Sequence, residues 1–206
     1  MVNLNERKFY KNNELNNIEN NIKEAIKLGL KIAIGHTFYT NNIKEEFEEM
    51  IKFIEKYRLT HFRVSQSLQC VNTKYGLSKE NIKILYEFIA ENIEKMKNKG
   101  IKIYFDCPVP FCYIKDEVVD YLMLYGAIPK HCNPKAFIQS DLTVTHCYST
   151  MHTLDVKKIS EFKTIDEIRE YSLEVIKSVT KRTCNKCVSC RHFEKDKTCG
   201  CPYYSI

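Results

Sequence analysis

The sequence predicts an α/β protein: an incomplete parallel β/α-barrel segment of about three strands, followed by a small cysteine-rich α+β lobe. Three observations predict it. Helical and strand patterns alternate from residue 17 to residue 105, which is the signature of parallel strands joined by crossover helices. Seven of the ten cysteines lie at Cys132 or beyond, so chemistry is concentrated at one end. The 44% hydrophobic content suffices for a core, and 6 Gly with 5 Pro are too few for a disordered or fibrous chain. The expected division is residues 1–112 and residues 113–206.

Each element has a local cause. Ile18, Ile22, Ala25 and Ile26 recur at helical spacing, and Gly29 ends that helix. Lys31–Ile34 reads as a short buried strand that closes at Gly35-His36-Thr37. A second helix carries Phe47, Met50, Ile51 and Ile54 on one face, and His61–Ser65 forms the second strand. Ser78 is the N-cap of a long helix with Ile82, Leu85, Ile89, Ile93 and Met96 inward. Gly100 stops it, Ile101–Phe105 is the third strand, and the prolines of Asp106-Cys-Pro-Val-Pro110 end regular structure. Three parallel strands are an incomplete object, because such sheets normally have both faces covered and both edges protected. The segment therefore reads as part of a larger barrel. Beyond it come a short helix at Asp116–Tyr125, a hairpin at Ala136–His146, and a helix bearing Ile168, Tyr171, Val175 and Val179. Thr164 and Glu167 form a capping box for that last helix.

The formal charge of +6 counts every cysteine as neutral. Four thiolates around a 4Fe–4S core leave roughly −2 per cluster, so two clusters remove most of the excess. The lysines are also interleaved with glutamates along helices, as on solvated faces. The expectation is no nucleic-acid partner. No apolar run approaches the roughly 20 residues of a membrane span, and the first residues lack the apolar stretch of an export signal. A cytoplasmic location, with no membrane partner, is expected.

Cysteines this dense without an export signal point to metal rather than disulfides. Eight residues lie between Cys184-Asn-Lys-Cys187-Val-Ser-Cys190 and Cys199-Gly-Cys201, and fourteen lie between Cys132 and Cys147. A Cys-x2-Cys pair lets two thiolates converge from one turn, and Gly200 lets the backbone fold close around the ligands. Seven thiols exceed the four of one structural zinc and approach the eight of two cubane clusters, with Cys112 as the candidate eighth. Zinc, with His146 or His192 as a further ligand, is the alternative metal.

This cysteine pattern resembles the SPASM domain, the iron–sulfur C-terminal extension of many radical S-adenosylmethionine enzymes. That family carries an Asp and then a Gly on a hairpin, with four residues between the Gly and a ligand Cys. Here Asp141 fits, Leu142 replaces the glycine, and Cys147 follows. In the second half, either Cys184/Cys187 or Cys187/Cys190 is the Cys-x2-Cys pair, completed by Cys199 and Cys201. The likeness extends back, more weakly, to about residue 17, where the β/α units resemble the last strands of the partial barrel in such enzymes.

The resemblance implies one or two auxiliary 4Fe–4S clusters held among Cys112, Cys132, Cys147, Cys184, Cys187, Cys190, Cys199 and Cys201. It also implies peptide or protein modification, with a peptide or protein substrate. Residues at C-terminal strand ends are where β/α folds gather chemistry: His36, Thr37, Arg63, Ser65, Gln66 and Asp106. Arg63 and Ser65 alternate with Phe62 and Val64 and so face the barrel interior, which in the family holds S-adenosylmethionine and substrate. The Cys-x3-Cys-x2-Cys loop that such chemistry requires is absent from the sequence. The chain alone is therefore not expected to cleave S-adenosylmethionine. That cofactor enters only if a complementing half-barrel chain supplies the loop. The rival readings are a zinc-stabilised binding module without redox role and an inactive truncated remnant.

Overall fold

The computed structural model describes residues 1–5, 9–11, 13–39, 42–67, 76–107, 109–129, 136–147, 156–180 and 191–192. The chain divides into two compact units. One comprises Met1–Cys107 with Cys112–Ile128, the other Pro108–Phe111 with Pro129–Ile206.

The first unit alternates strands and helices: β1 (Val2–Leu4), α1 (Glu14–Lys27), β2 (Ala33–Phe38), α2 (Ile43–Lys56), β3 (His61–Gln66), α3 (Lys79–Asn98), β4 (Lys102–Phe105) and α4 (Asp116–Leu124). Its sheet has four parallel strands in the order β1-β2-β3-β4, one more than the sequence predicts. The extra strand is β1, whose Val2, Asn3 and Leu4 pair with Ile34, Gly35 and His36. Strand β2 also sits later than expected, ending at Phe38. After α4 the chain returns to β4, where Phe105 N–H donates to the Ala127 carbonyl at 2.7 Å.

Each connection steps to the adjacent strand, so crossovers of one hand place their helices on one face of the sheet. Side-chain contacts agree. Phe47 of α2 lies 5.8 Å from Phe62 of β3, and Tyr86 of α3 stacks on Phe105 of β4 at 4.2 Å. On α2, Lys56 Nζ and the Tyr57 hydroxyl at its C-cap reach Glu19 of α1, and this pairing holds the Glu19 carboxyl below its ordinary range. The core lies between that face and the helices: Ile34, Phe38, Phe47, Ile54, Phe62, Val64, Ile82, Leu85, Tyr86 and Ile89 are fully buried. At about 25 cal/mol per Å² of buried apolar area, this helix-facing layer is the main source of the unit's stability. Local chemistry supports the helices, since Ser78 Oγ accepts from Asn81 N–H at 3.2 Å and caps α3 as expected.

The second unit contains a three-stranded antiparallel sheet, β5 (Phe137–Ile138), β6 (Thr143–Thr145) and β7 (Lys157–Lys158), in the order β5-β6-β7. The predicted hairpin is its first two strands. Helix α5 (Ile165–Thr180) follows. Its start departs from a full capping box. Thr164 Oγ1 accepts from Glu167 N–H at 3.2 Å, but the Glu167 carboxylate accepts from Lys163 N–H at 2.7 Å rather than from Thr164. None of the described helices is long and apolar enough to cross a membrane.

Candidate functional site

Two places carry chemistry, one in each unit. In the first unit it is the sheet face turned away from α1–α3. Strand alternation puts Phe62 and Val64 on the helix side and Arg63 and Ser65 on the other, as the sequence predicts. Register extends this into a row across all four strands: Asn3, Gly35, Arg63 and Tyr104. Thr37 and Ser65 pair one step nearer the strand ends, and Asp106 follows β4 there. A parallel sheet buried on both faces reads as Val, Ile and Leu throughout. This face is largely polar instead.

Arg63 is the centre of that face. Its Nη1 lies 3.5 Å from Asp106 Oδ1, and its Nη2 donates to Asn3 Oδ1 at 3.4 Å, both long contacts. Its Nε is buried without a hydrogen-bond partner among the described residues. Gly35 makes the seat: a Cβ there would stand 2.5 Å from Asn3 Oδ1 and 3.4 Å from Arg63 Nε. A half-buried guanidinium with a spare donor is suited to a carboxylate or phosphate.

Two residues at the strand ends belong to the other face. His36 is buried on the helix side, where Nδ1 lies 2.8 Å from the Leu4 carbonyl and Nε2 3.3 Å from Glu46 Oε2. Gln66 is also buried, and its Nε2 donates to the Cys107 carbonyl at 2.7 Å. Both are structural ties between strands and their surroundings. A cleft of about 600 Å³ lined by His61, Lys97, Lys102, Tyr104 and Leu124 lies at the opposite, N-terminal ends of β3 and β4. That is the end of a β/α sheet where conservation of fold rather than chemistry is expected.

The second site is built on the β5–β6 hairpin. Asp141 Oδ1 accepts from Thr143 N–H at 3.0 Å and from Thr143 Oγ1 at 2.6 Å, an Asx turn that starts β6. The Thr143 hydroxyl, then its amide, hold the Asp141 carboxyl below its ordinary range. Leu142 sits at φ +67°, the left-handed region where glycine belongs. Val144, Thr145 and His146 are buried, and the half-buried Cys147 thiol follows directly.

His146 is held from α5. Its Nδ1 lies 2.7 Å from Ser172 Oγ, its ring meets Tyr171 edge-on at 4.9 Å, and burial pushes its pKa down. His192 is also buried, with its ring 5.3 Å from Phe111 and its Nε2 accepting from Arg191 Nε at 3.2 Å. Ser172 carried no sequence signal of its own. Its position four residues after Ile168, on the inward stripe of α5, was the available hint.

Of the predicted ligands, Cys112 is an exposed thiol in the first unit and Cys147 a half-buried thiol in the second. Cys132, Cys184, Cys187, Cys190, Cys199 and Cys201 lie outside the described residues. Among the described residues no three His, Cys, Asp or Glu side chains gather as a metal site. No protein-family model matches the chain, and comparison with curated proteins and with solved structures gives no match.

Proposed function

We propose that this chain is the iron–sulfur-binding C-terminal part of a radical S-adenosylmethionine enzyme of the SPASM type. It holds one or two auxiliary 4Fe–4S clusters and serves the modification of a peptide or protein in the cytoplasm. The observation that carries the reading is the turn before Cys147. Asp141 makes an Asx turn, and Leu142 adopts a glycine-like φ of +67° where the resembled family has glycine. A leucine forced into that backbone is what substitution within such a hairpin would leave. The donor set agrees in kind: a thiol at Cys147, with a buried imidazole nitrogen at His146 that has no hydrogen-bond partner among the described residues. Auxiliary clusters, when bound, carry electrons or anchor substrate, with potentials set by burial and hydrogen bonds to sulfur.

In this reading the polar sheet face is the inner wall of a barrel completed by another chain. Arg63 would hold an anionic group of cofactor or substrate, with Ser65 beside it. Without the Cys-x3-Cys-x2-Cys loop, S-adenosylmethionine cleavage requires that partner. Anaerobic reconstitution with iron and sulfide tests the proposal. Brown protein with matched iron and acid-labile sulfide, bleached by air, is the expected result. Colourless protein with stoichiometric zinc would instead support a zinc-stabilised binding module.

A further inference from the structure

We propose that His146 is a nitrogen ligand of the metal centre in the second unit, binding through Nε2 beside the thiolate of Cys147. The inference rests on reading that unit as metal-binding, and it adds a ligand that a pattern of cysteines does not supply.

The hydrogen-bond chain fixes the tautomer. Ser172 donates its hydroxyl proton to the Ile168 carbonyl, 2.8 Å away and one turn back on α5. With that proton committed, Ser172 Oγ faces His146 Nδ1 at 2.7 Å as an acceptor. The imidazole proton therefore sits on Nδ1, and Nε2 presents a bare lone pair. A proton on Nε2 would be a buried donor with no acceptor among the described residues, so packing favours the bare lone pair there. Edge-on contact with Tyr171 at 4.9 Å and 74° fixes the ring plane.

Nε2 is the atom left over. It is buried, in a residue only 3% exposed, and among the described residues no donor reaches it. A neutral ring, its second nitrogen hydrogen-bonded outward, its plane locked and its free lone pair desolvated is the posture of a ligating histidine. The other buried histidines differ. Both nitrogens of His36 face oxygen atoms, and His192 Nε2 accepts from Arg191. His146 also stands at the bend that ends β6, so strand alternation no longer sends its side chain and that of Cys147 to opposite faces. Imidazole and thiolate together suit iron or zinc. Replacing thiolate by imidazole at iron raises the reduction potential.

The test uses the full chain labelled with ¹⁵N-histidine and reconstituted anaerobically with iron and sulfide. Pulsed EPR of the reduced cluster should show ¹⁵N coupling that is lost in His146→Ala and kept in His192→Ala. A cluster with no nitrogen coupling in the unsubstituted protein overturns the proposal, with a buried water left as the partner of Nε2. If the protein takes zinc and no iron, zinc-edge X-ray absorption decides. Imidazole scattering that vanishes in His146→Ala sustains the ligand while the iron reading fails, and an all-sulfur shell overturns the ligand too. Retention of neither metal overturns both. Should His146→Ala not fold, Ser172→Ala serves: affinity should fall about 10–100-fold with the coupling retained. Unchanged affinity there would count against the orienting role on which the inference depends.

Discussion

Leu142 offers the sharpest test of the hairpin, because its backbone and its side chain can be separated. An L-residue in the left-handed region pays roughly 1–2 kcal/mol that glycine does not. Glycine in turn loses about 0.5–1 kcal/mol more backbone entropy on folding than alanine. Leu142 is 57% exposed, so its side chain contributes some burial, and a leucine-to-glycine change alone mixes three effects. Comparing Leu142→Gly with Leu142→Ala removes the side-chain contribution from both. The difference is then strain relief less entropy, about 0.5–1 kcal/mol in favour of glycine, opposite in sign to an ordinary exposed site. Hydrogen exchange over residues 137–147 reads it directly. The turn is closed by Leu142 N–H to the Gln139 carbonyl and Gln139 N–H to the Thr143 carbonyl, both 2.9 Å. Those amides should open roughly 2–5-fold less often in the glycine variant than in the alanine variant. Ala25, half-buried within α1, is the control, where glycine should be the worse residue. Equal or faster opening with glycine at position 142 would refute the strained-turn argument.

Substitutions at Phe47, Gly35 and Asp141 probe the core, the polar face and the hairpin. Phe47→Ala removes a fully buried ring that meets Phe62 and Phe88, and should cost the first unit about 3–5 kcal/mol in denaturant unfolding. Gly35→Ala brings a Cβ to 2.5 Å from Asn3 Oδ1. That oxygen ends an exposed side chain and can swing away, so the loss should stay below about 1 kcal/mol, with faster amide exchange confined to β1. Asp141 carries a depressed carboxyl because Thr143 hydrogen-bonds its charged form. Its contribution is present above the unfolded pKa of about 4 and is lost as pH falls through the lower folded value. Protection of the hairpin amides relative to their intrinsic exchange rates should therefore fall on acidification below pH ~4, and Asp141→Ala should abolish that pH dependence.

The α/β class, the helix faces, the Ser78 cap and the hairpin were legible because each is a local pattern. Strand β1 was not, since three residues with one polar centre carry almost no periodic signal until β2 pairs with them. The sides taken by Arg63 and Ser65 followed from the alternation of β3 alone. What they share with Asn3, Gly35 and Tyr104 did not, because a row across strands is set by register, which only folding reveals. His36 shows the reverse failure. Its place at a strand end suggested chemistry, yet one step of alternation turns it to the helices and into contact with Leu4 and Glu46. Ser172 was invisible because a serine on a helix stripe ordinarily donates to its own backbone, as it does to Ile168 here, and its second bond spans 26 residues.

The points where this chain breaks its own rules bear on whether it is an inert remnant. Much of the fold is consistent across levels, with the helix stripes, the Ser78 cap and the core agreeing. Gln66 Oε1 and Arg58, at φ +52°, depart from the rules away from the candidate sites. Three departures among the described residues fall at those sites: a parallel sheet with a polar face and an Arg63 Nε without a partner, a leucine in a glycine conformation, and a buried His146 nitrogen without a donor. Each carries a free-energy cost with no return inside the described fold. Arg63 was singled out from sequence as facing a ligand, and the other two flank the approach to Cys147. A chain under no demand but packing would gain from apolar residues at Arg63 and His146. In the proposed reading, an anion at Arg63 and a metal at His146 are the partners that would turn those two costs into binding.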